Sequence, residues 1–328
     1  MAESASTAVA ARSATPTLCI GLAVLAGASL LVSNAYYSNL VTWIAIAMLT
    51  ATSMRFVLLI GELNFATAAF YGIGAYSAGV LTSTWEAPFV VALVAGGLVA
   101  AAISAVFGFV TLKTKGPYFL LIGFAFTEVI RLVYTRVNAL GGNSGMVGIF
   151  PPSGLASHFP TFAIVVAGVL VVALYLVERS DLGRVFVAIR DNDSVVQSVG
   201  IDVHAMKVLC FVIASFAAGI AGSLHAFANN VISPGDFGFL LSTFALAYLK
   251  VGGEDSVFGP LAGAILLVVL GSFAMGMGAG EHIFYGAAIV LAVLLLPKGL
   301  AGLVAGVWRR LSARDRTAAR AVPVRESP

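Results

Sequence analysis

Apolar residues run along this chain in blocks separated by short polar breaks, and one break, from Glu178 to Lys207, is far longer than the others. Most blocks approach the roughly 20 residues that carry an α-helix across a hydrocarbon core, whereas barrel strands would alternate in polarity over about ten. Reading between the breaks gives ten candidate spans, at 17–33, 40–60, 64–82, 88–110, 117–137, 159–177, 208–229, 236–251, 258–278 and 281–297. The segments 64–82 and 236–251 are rich in small or polar residues and suit broken or re-entrant elements buried by neighbouring helices. Ten spans can divide as five plus five of opposed orientation, but the sequence shows no convincing internal repeat. The pattern predicts an all-α polytopic membrane protein of about ten transmembrane helices. Residues 1–16 are expected as a disordered tail, 17–308 as the membrane domain with the polar loop 178–207 inside it, and 309–328 as a basic tail.

Composition agrees. With 60% apolar and 10% charged residues and a mean hydropathy of +1.01, the chain is excluded from the water-soluble globules, in which about a quarter of residues are charged. The first apolar segment reads as a retained span rather than a cleaved signal, because no clear cleavage site follows it. Cys19 and Cys210, each isolated in an apolar segment, support neither a disulfide framework nor a metal site.

The net charge of +3 matters less than where the basic residues fall. If the 178–207 loop is cytoplasmic, strict alternation puts both termini and the breaks near 55–63, 111–116 and 251–257 on the same side. All but Arg131 and Arg136 of the 18 basic residues then lie inside or at the inner boundary, as the positive-inside rule requires.

Inside the loop, Ser194-Val195-Val196-Gln197 fits a capping box, and Gly200 supplies a left-handed residue to end the helix it starts. Val195, Val196 and Val199 share one face by their spacing. A helix this short and rich in valine is not stable alone in water, so its face is buried against its own protein or in a groove on a soluble partner. Elsewhere, small residues recur at four-residue spacing in Gly97/Ala101/Ala105, Ala218/Gly222, Gly219/Ser223 and Gly259/Gly263, which suits close helix packing in lipid.

Ionisable and polar groups at membrane depth face a cavity or a partner. Glu128 and Arg131, three apart on one helix, can neutralise each other or line the outer part of a pathway. Asn64, Thr67, Tyr71 and Tyr76 are further candidates for a pathway lining. Arg55 and Lys250, near inner ends, are accounted for by snorkelling. Glu281 and His282 are placed to meet an outer partner or water. Gly142-Asn143-Ser144-Gly145 fits the Gly-x-Ser-Gly pattern and so resembles rhomboid-type serine proteases. It falls in an outer loop, however, and no histidine stands in a pattern marking it as the base, so a glycine-rich turn is the simpler account. A secondary transporter or channel is a further class, against which no span carries a lone central carboxylate suited to a proton relay. No Gly-x-x-x-x-Gly-Lys-Ser/Thr loop occurs, so any ATP hydrolysis belongs to other subunits. Catalytic residues, cofactors, bound metals and nucleic-acid partners are not expected.

Several motifs occur together in order. They are Ala68-Ala69-Phe70-Tyr71-Gly72-Ile73-Gly74-Ala75-Tyr76, Lys115-Gly116-Pro117-Tyr118-Phe119, Phe126-Thr127-Glu128-Val129-Ile130-Arg131-Leu132 and Gly141-Gly142-Asn143-Ser144-Gly145. Gly183-Arg184, Ala188-Ile189-Arg190-Asp191-Asn192, Gly200-Ile201, Lys207 and Ala217-Ala218-Gly219-Ile220-Ala221-Gly222 follow. Last come Ile232-Ser233-Pro234, Gly252-Gly253, Gly259-Pro260 and Pro297-Lys298-Gly299-Leu300. Across roughly residues 55–305 the chain thus resembles LivM-type permease subunits of bacterial branched-chain amino acid ABC importers. The resemblance implies an ABC importer permease fold in the bacterial inner membrane and passage of a small polar solute, branched-chain amino acids foremost. The partners it implies are a second, LivH-like permease, two cytoplasmic ATP-binding subunits and a periplasmic substrate-binding protein. It also implies that the loop docks on the ATPase through Arg184, Arg190, Ser194, Val195, Val196, Val199 and Gly200. The chain departs from the family at Ser194–Val199, where relatives carry a Glu-Ala-Ala-like stretch, at Glu62–Thr67 and at Glu254-Asp255. The departures leave the solute open, with urea or another small polar solute as the alternative.

Overall fold

The computed structural model describes residues 34–156 and 158–274, together with residues 27, 286–287, 289–292, 294 and 299–302. Apart from those isolated positions, the spans expected at 17–33 and 281–297, both tails, Cys19, Glu281 and His282 lie outside the described residues. Helix α1 covers Ala35–Leu58, α2 Thr67–Ser83, α3 Phe89–Thr111 and α4 Pro117–Arg136. A short α5 (Ser153–Ala156) precedes α6 (Phe159–Arg179), α7 (Asp181–Asp191), α8 (Asp193–Ser198) and α9 (Val203–Asn229). The described part closes with α10 (Phe239–Gly252) and α11 (Phe258–Ala274).

Among the described residues, five helices are long and apolar enough to cross a membrane, namely α1 from Tyr36, α3, α4, α6 and α9. Local chemistry sets their ends. Asp202 accepts from the amide of Ala205 to start α9, and left-handed Asn230 closes it. Pro117 occupies the first turn of α4, where its missing N–H costs nothing. The segments anticipated as broken are indeed short, with 17 residues in α2 and 14 in α10. At 1.5 Å per residue α10 rises only about 21 Å, well under a hydrocarbon core of about 30 Å.

The two short helices are joined where they begin. The Phe65 carbonyl accepts from Thr127 Oγ1 on α4 (3.0 Å) and from Ser242 Oγ on α10 (2.8 Å). Ser242 Oγ in turn accepts from the amide of Ala68 in the first turn of α2 (3.0 Å). These bonds satisfy backbone groups that an interrupted helix leaves open away from water.

Helices α2 and α9 form the centre, packed on each other and on α3. A Cβ on Gly74 would stand 2.1 Å from the Gly219 carbonyl oxygen, and one on Gly222 would stand 1.8 Å from that of Tyr71. Ser223 Oγ crosses the same gap to donate to the Gly74 carbonyl (3.1 Å). On α9 the small-residue spacing therefore serves close packing as expected. On α3 the register differs from the expected Gly97/Ala101/Ala105. The buried small residues are Ala92, Gly96, Gly97, Ala100, Ser104 and Gly108, while Ala101 and Ala105 are half-buried. A one-residue shift between stripes is invisible in a helix that is apolar on every side.

The described residues have two chemically distinct ends. At one, β1 (Met146–Val147) pairs antiparallel with β2 (Val231–Ile232). The Gly-x-Ser-Gly run sits there as a turn, with a Cβ on Gly145 only 2.0 Å from the Ile232 carbonyl oxygen. The other end gathers residues 59–66, the 111–116 turn, the 178–207 segment and the turn after α10, through contacts described next.

Candidate functional site

The long polar break is mostly helical. Helix α6 runs on to Arg179, and Ser180 breaks it with an extended backbone and opens α7. The turn is tight, since a Cβ on Gly183 would lie 1.9 Å from the Glu178 carbonyl oxygen. Sequence reading missed α7, because its apolar residues are sparse. The signal was there in Phe186 and Ile189, three apart, both of which are buried on the inner side. The Phe186 ring meets Phe56 of α1 edge-on at 6.0 Å.

Helix α8 exists where a two-turn helix was expected, but with a different start. Asn192, not Ser194, is its N-cap, with Oδ1 accepting from the amides of Ser194 (3.0 Å) and Val195 (3.3 Å). Asn192 ranks with serine as a cap and lies two residues earlier, so the helix takes the first cap offered. Ser194 becomes an exposed residue of the first turn. Gly200 has the expected left-handed backbone, φ +86°. The three valines do not share an environment. Val196 is buried against the chain, whereas Val195 and Val199 are 60% and 70% exposed. Arg184 and Arg190 are exposed on α7, paired with the neighbouring acids Asp181 and Asp191. Two valines of α8 and two arginines of α7 are thus left exposed.

Charge holds this surface to the membrane helices. Asp193, the first residue of α8, receives Lys207 of α9 at 3.1 Å and also Lys115 of the α3–α4 turn. Burial pushes the Asp193 carboxyl up, but hydrogen bonds from Lys115 and Lys207 outweigh it and hold the group below its usual range. Lys207 has 5% of its side chain exposed, so Asp193 neutralises a buried cation. Nearby, buried Glu62 accepts from the amide of Gly116, the N-cap of α4, at 2.9 Å. Burial raises the Glu62 carboxyl above the ordinary carboxylate range, against the pull of that N–H and of Lys207 and Lys115.

A second node lies beside the first. Arg55 of α1 grips Glu178 of α6 through both guanidinium nitrogens at 2.7 Å, and its Nε donates to the Glu254 carbonyl (3.1 Å). With 6% of its side chain exposed, Arg55 does not snorkel as expected. Lys250, half-exposed, pairs with Glu254 at 2.6 Å. None of Glu62, Asp193, Lys207, Arg55 or Glu178 was assigned a partner from sequence. Their only signal was that acids and bases cluster at the same breaks.

The pathway candidates divide. Glu128 and Arg131 pair at 2.7 Å as their spacing predicts, both partly exposed, and Glu128 Oε1 also accepts from the Phe239 amide that opens α10 (3.3 Å). Asn64, Thr67, Tyr71 and Tyr76 are buried. Asn64 accepts from the Ala66 amide, and Thr67 donates to the Asn64 carbonyl. Tyr71 packs edge-on against His225, and Tyr76 stacks on Tyr134 at a centroid distance of 4.0 Å.

Residues 36–297 match the family described as the branched-chain amino acid transport system permease component. The chain belongs to this family. LivM of Escherichia coli K12, a high-affinity branched-chain amino acid transport system permease protein, is 29% identical over 73% of this chain and 64% of its own length. The permease thus spans less than two thirds of the LivM proteins it matches. The D-allose transport system permease protein AlsC of the same strain is 28% identical over 71% of each chain. The ribose import permease protein RbsC, also of that strain, is 24% identical over 78% of this chain and 84% of its own. No solved structure matches the permease. It is a multi-pass membrane protein, as its apolar helices and its relatives agree.

Proposed function

We propose that this permease is one of two membrane subunits of an ABC importer in the bacterial inner membrane, with α8 as the element that docks on an ATP-binding subunit. The observation that carries the reading is the split of the α8 valines. Val196 fastens the helix to its own protein and leaves Val195 and Val199 as an exposed apolar pair, with Arg184 and Arg190 exposed on the preceding helix, at the end rich in basic residues. An apolar pair outside the bilayer belongs in a partner's groove. The positive-inside bias supports a cytoplasmic position for that end. A periplasmic binding protein delivers solute at the opposite end.

Helix α4 is the least enclosed of the long helices, with 22% of its apolar window buried, and it carries the Glu128–Arg131 pair. Glu128 stands about 17 Å from the start of α4, a depth at which charge does not face lipid. The α4–α10 face therefore meets the second permease, with the pathway along it. A fixed carboxylate and guanidinium on that face suit a zwitterion, and the names of the LivM relatives support a branched-chain amino acid. The ribose and allose permeases among the relatives support a neutral sugar as the second reading. Competition between leucine and ribose for uptake in cells expressing the complete transporter separates the two.

In the docking test, Val195→Asp and Val199→Asp, alone or combined, are expected to cut ATP-driven uptake at least about tenfold by placing a desolvated charge at the contact. The protein level in the membrane stays as in the wild type. Undiminished uptake by the double variant would falsify the docking role.

A further inference from the structure

Lys207 is a buried cation in a cluster with two acids on different elements, joined through the α3–α4 turn, where Lys115 pairs with Asp193 and the Gly116 amide with Glu62. In the conformation described, its ammonium is taken by Asp193 of α8 at 3.1 Å. The other acid, Glu62, lies in the loop before α2, is 4% exposed and spends its Oε2 on the amide of Gly116. Glu62 feels the charges of Lys207, Asp193 and the more exposed Lys115.

Helix α8 is short and jointed at both ends. It has six residues, is jointed by the extended Asn192 on one side and left-handed Gly200 on the other, and is fixed inward by Val196 and Asp193. A Cβ on Gly200 would meet nothing within 4 Å, so that joint is unobstructed. If α8 is drawn away, Lys207 loses its counter-ion, and a buried unpaired ammonium costs several kcal/mol. The remaining acid is Glu62. A carboxylate that turns to Lys207 releases the Gly116 amide, which begins α4, the helix whose Glu128 holds the start of α10.

We propose that Lys207, Asp193 and Glu62 form a charge-exchange latch, in which displacement of α8 passes Lys207 from Asp193 to Glu62 and frees the N-terminus of α4. The latch rests on the docking reading of α8. It gives that reading a two-state element with two discrete sets of contacts, which a claim of coupling across a membrane protein requires. Glu62 and Lys207 are positioning residues, since they touch neither solute nor ATPase.

Hydrogen exchange at Gly116 tests the latch without knowledge of the solute. The permease is assembled in nanodiscs with its partner permease and ATP-binding subunits, and exchange of the peptide holding Gly116 is compared at rest and after vanadate trapping with ATP. Trapping should speed exchange at Gly116 about tenfold in the wild type, the size of a moderate coupling between sites. In Lys207→Met the buried cation that draws Glu62 is gone, and Lys115, 65% exposed, keeps water as its partner when Asp193 leaves. In Glu62→Gln, the amide oxygen keeps the Gly116 bond but gains little from Lys207. Both variants should bind the ATPase, hydrolyse ATP and show the resting protection of the wild type, and in both the change on trapping should vanish.

Trapped wild type with Gly116 still protected would overturn the latch while leaving docking intact. So would either variant, folded by its resting protection, that still loses protection on trapping. A wild-type chain that binds no ATPase would overturn the docking reading itself, and the latch with it.

Discussion

A guanidinium as buried as that of Arg55 is tolerated only because Glu178 takes both of its outer nitrogens and the Glu254 carbonyl takes the third. Removing the acid leaves the charge stranded. Glu178→Ala should therefore destabilise the permease by about 3–5 kcal/mol, read as a fall in the melting temperature of the purified protein. Glu178→Gln, which keeps a hydrogen-bond acceptor, should lose less. At this scale the sequence was only half legible. The Glu128–Arg131 pair could be read because both residues lie on one helix, where spacing alone determines contact. Arg55 and Glu178 are 123 positions apart, and nothing in one sequence pairs them. Snorkelling was the wrong account of Arg55, since the neighbouring helices deny it a route to water.

Among the elements, the helices legible in the sequence were the uniformly apolar ones, for which length is the whole signal. Helix α7 was lost inside a charged stretch, where Phe186 and Ile189 were too few to mark a buried side. The α8 valines show a related limit. Spacing put Val195, Val196 and Val199 on one broad face, but which part of that arc turned inward was decided by packing against the rest of the chain, which took Val196 alone. The glycine spacing of α9 supports a firmer expectation. Gly222→Ala would push a methyl carbon into the Tyr71 carbonyl, separate α2 from α9, and cost about 3 kcal/mol, the upper part of the range for overpacking. A drop in melting temperature checks it, and Gly154→Ala, where a Cβ meets nothing within 4 Å, is the control.

For the whole molecule, the decisive expectation concerns which end faces the cytoplasm. Ser144 is exposed in the turn at the end opposite α8. A Ser144→Cys variant should react with an impermeant maleimide added to intact cells stripped of their outer membrane. Reaction only after the inner membrane is opened would reverse the orientation. The two-ended distribution of charge was legible because it is a statistical property of many residues, so errors in single spans do not erase it. The interior was less legible, because the burial of Asn64, Thr67, Tyr71 and Tyr76 comes from packing between helices distant in sequence.

The crossing of α2, α3 and α9 at Gly74, Gly96, Gly219 and Gly222 has a practical consequence. Backbones in direct contact leave no slack for sliding, so these three helices form a fixed frame of reference within the permease. A spin label or fluorophore on this frame, paired with one on α4 or α8, would convert any distance change into motion of the mobile partner alone. The same pair of probes placed wholly within the frame would report silence throughout the transport cycle.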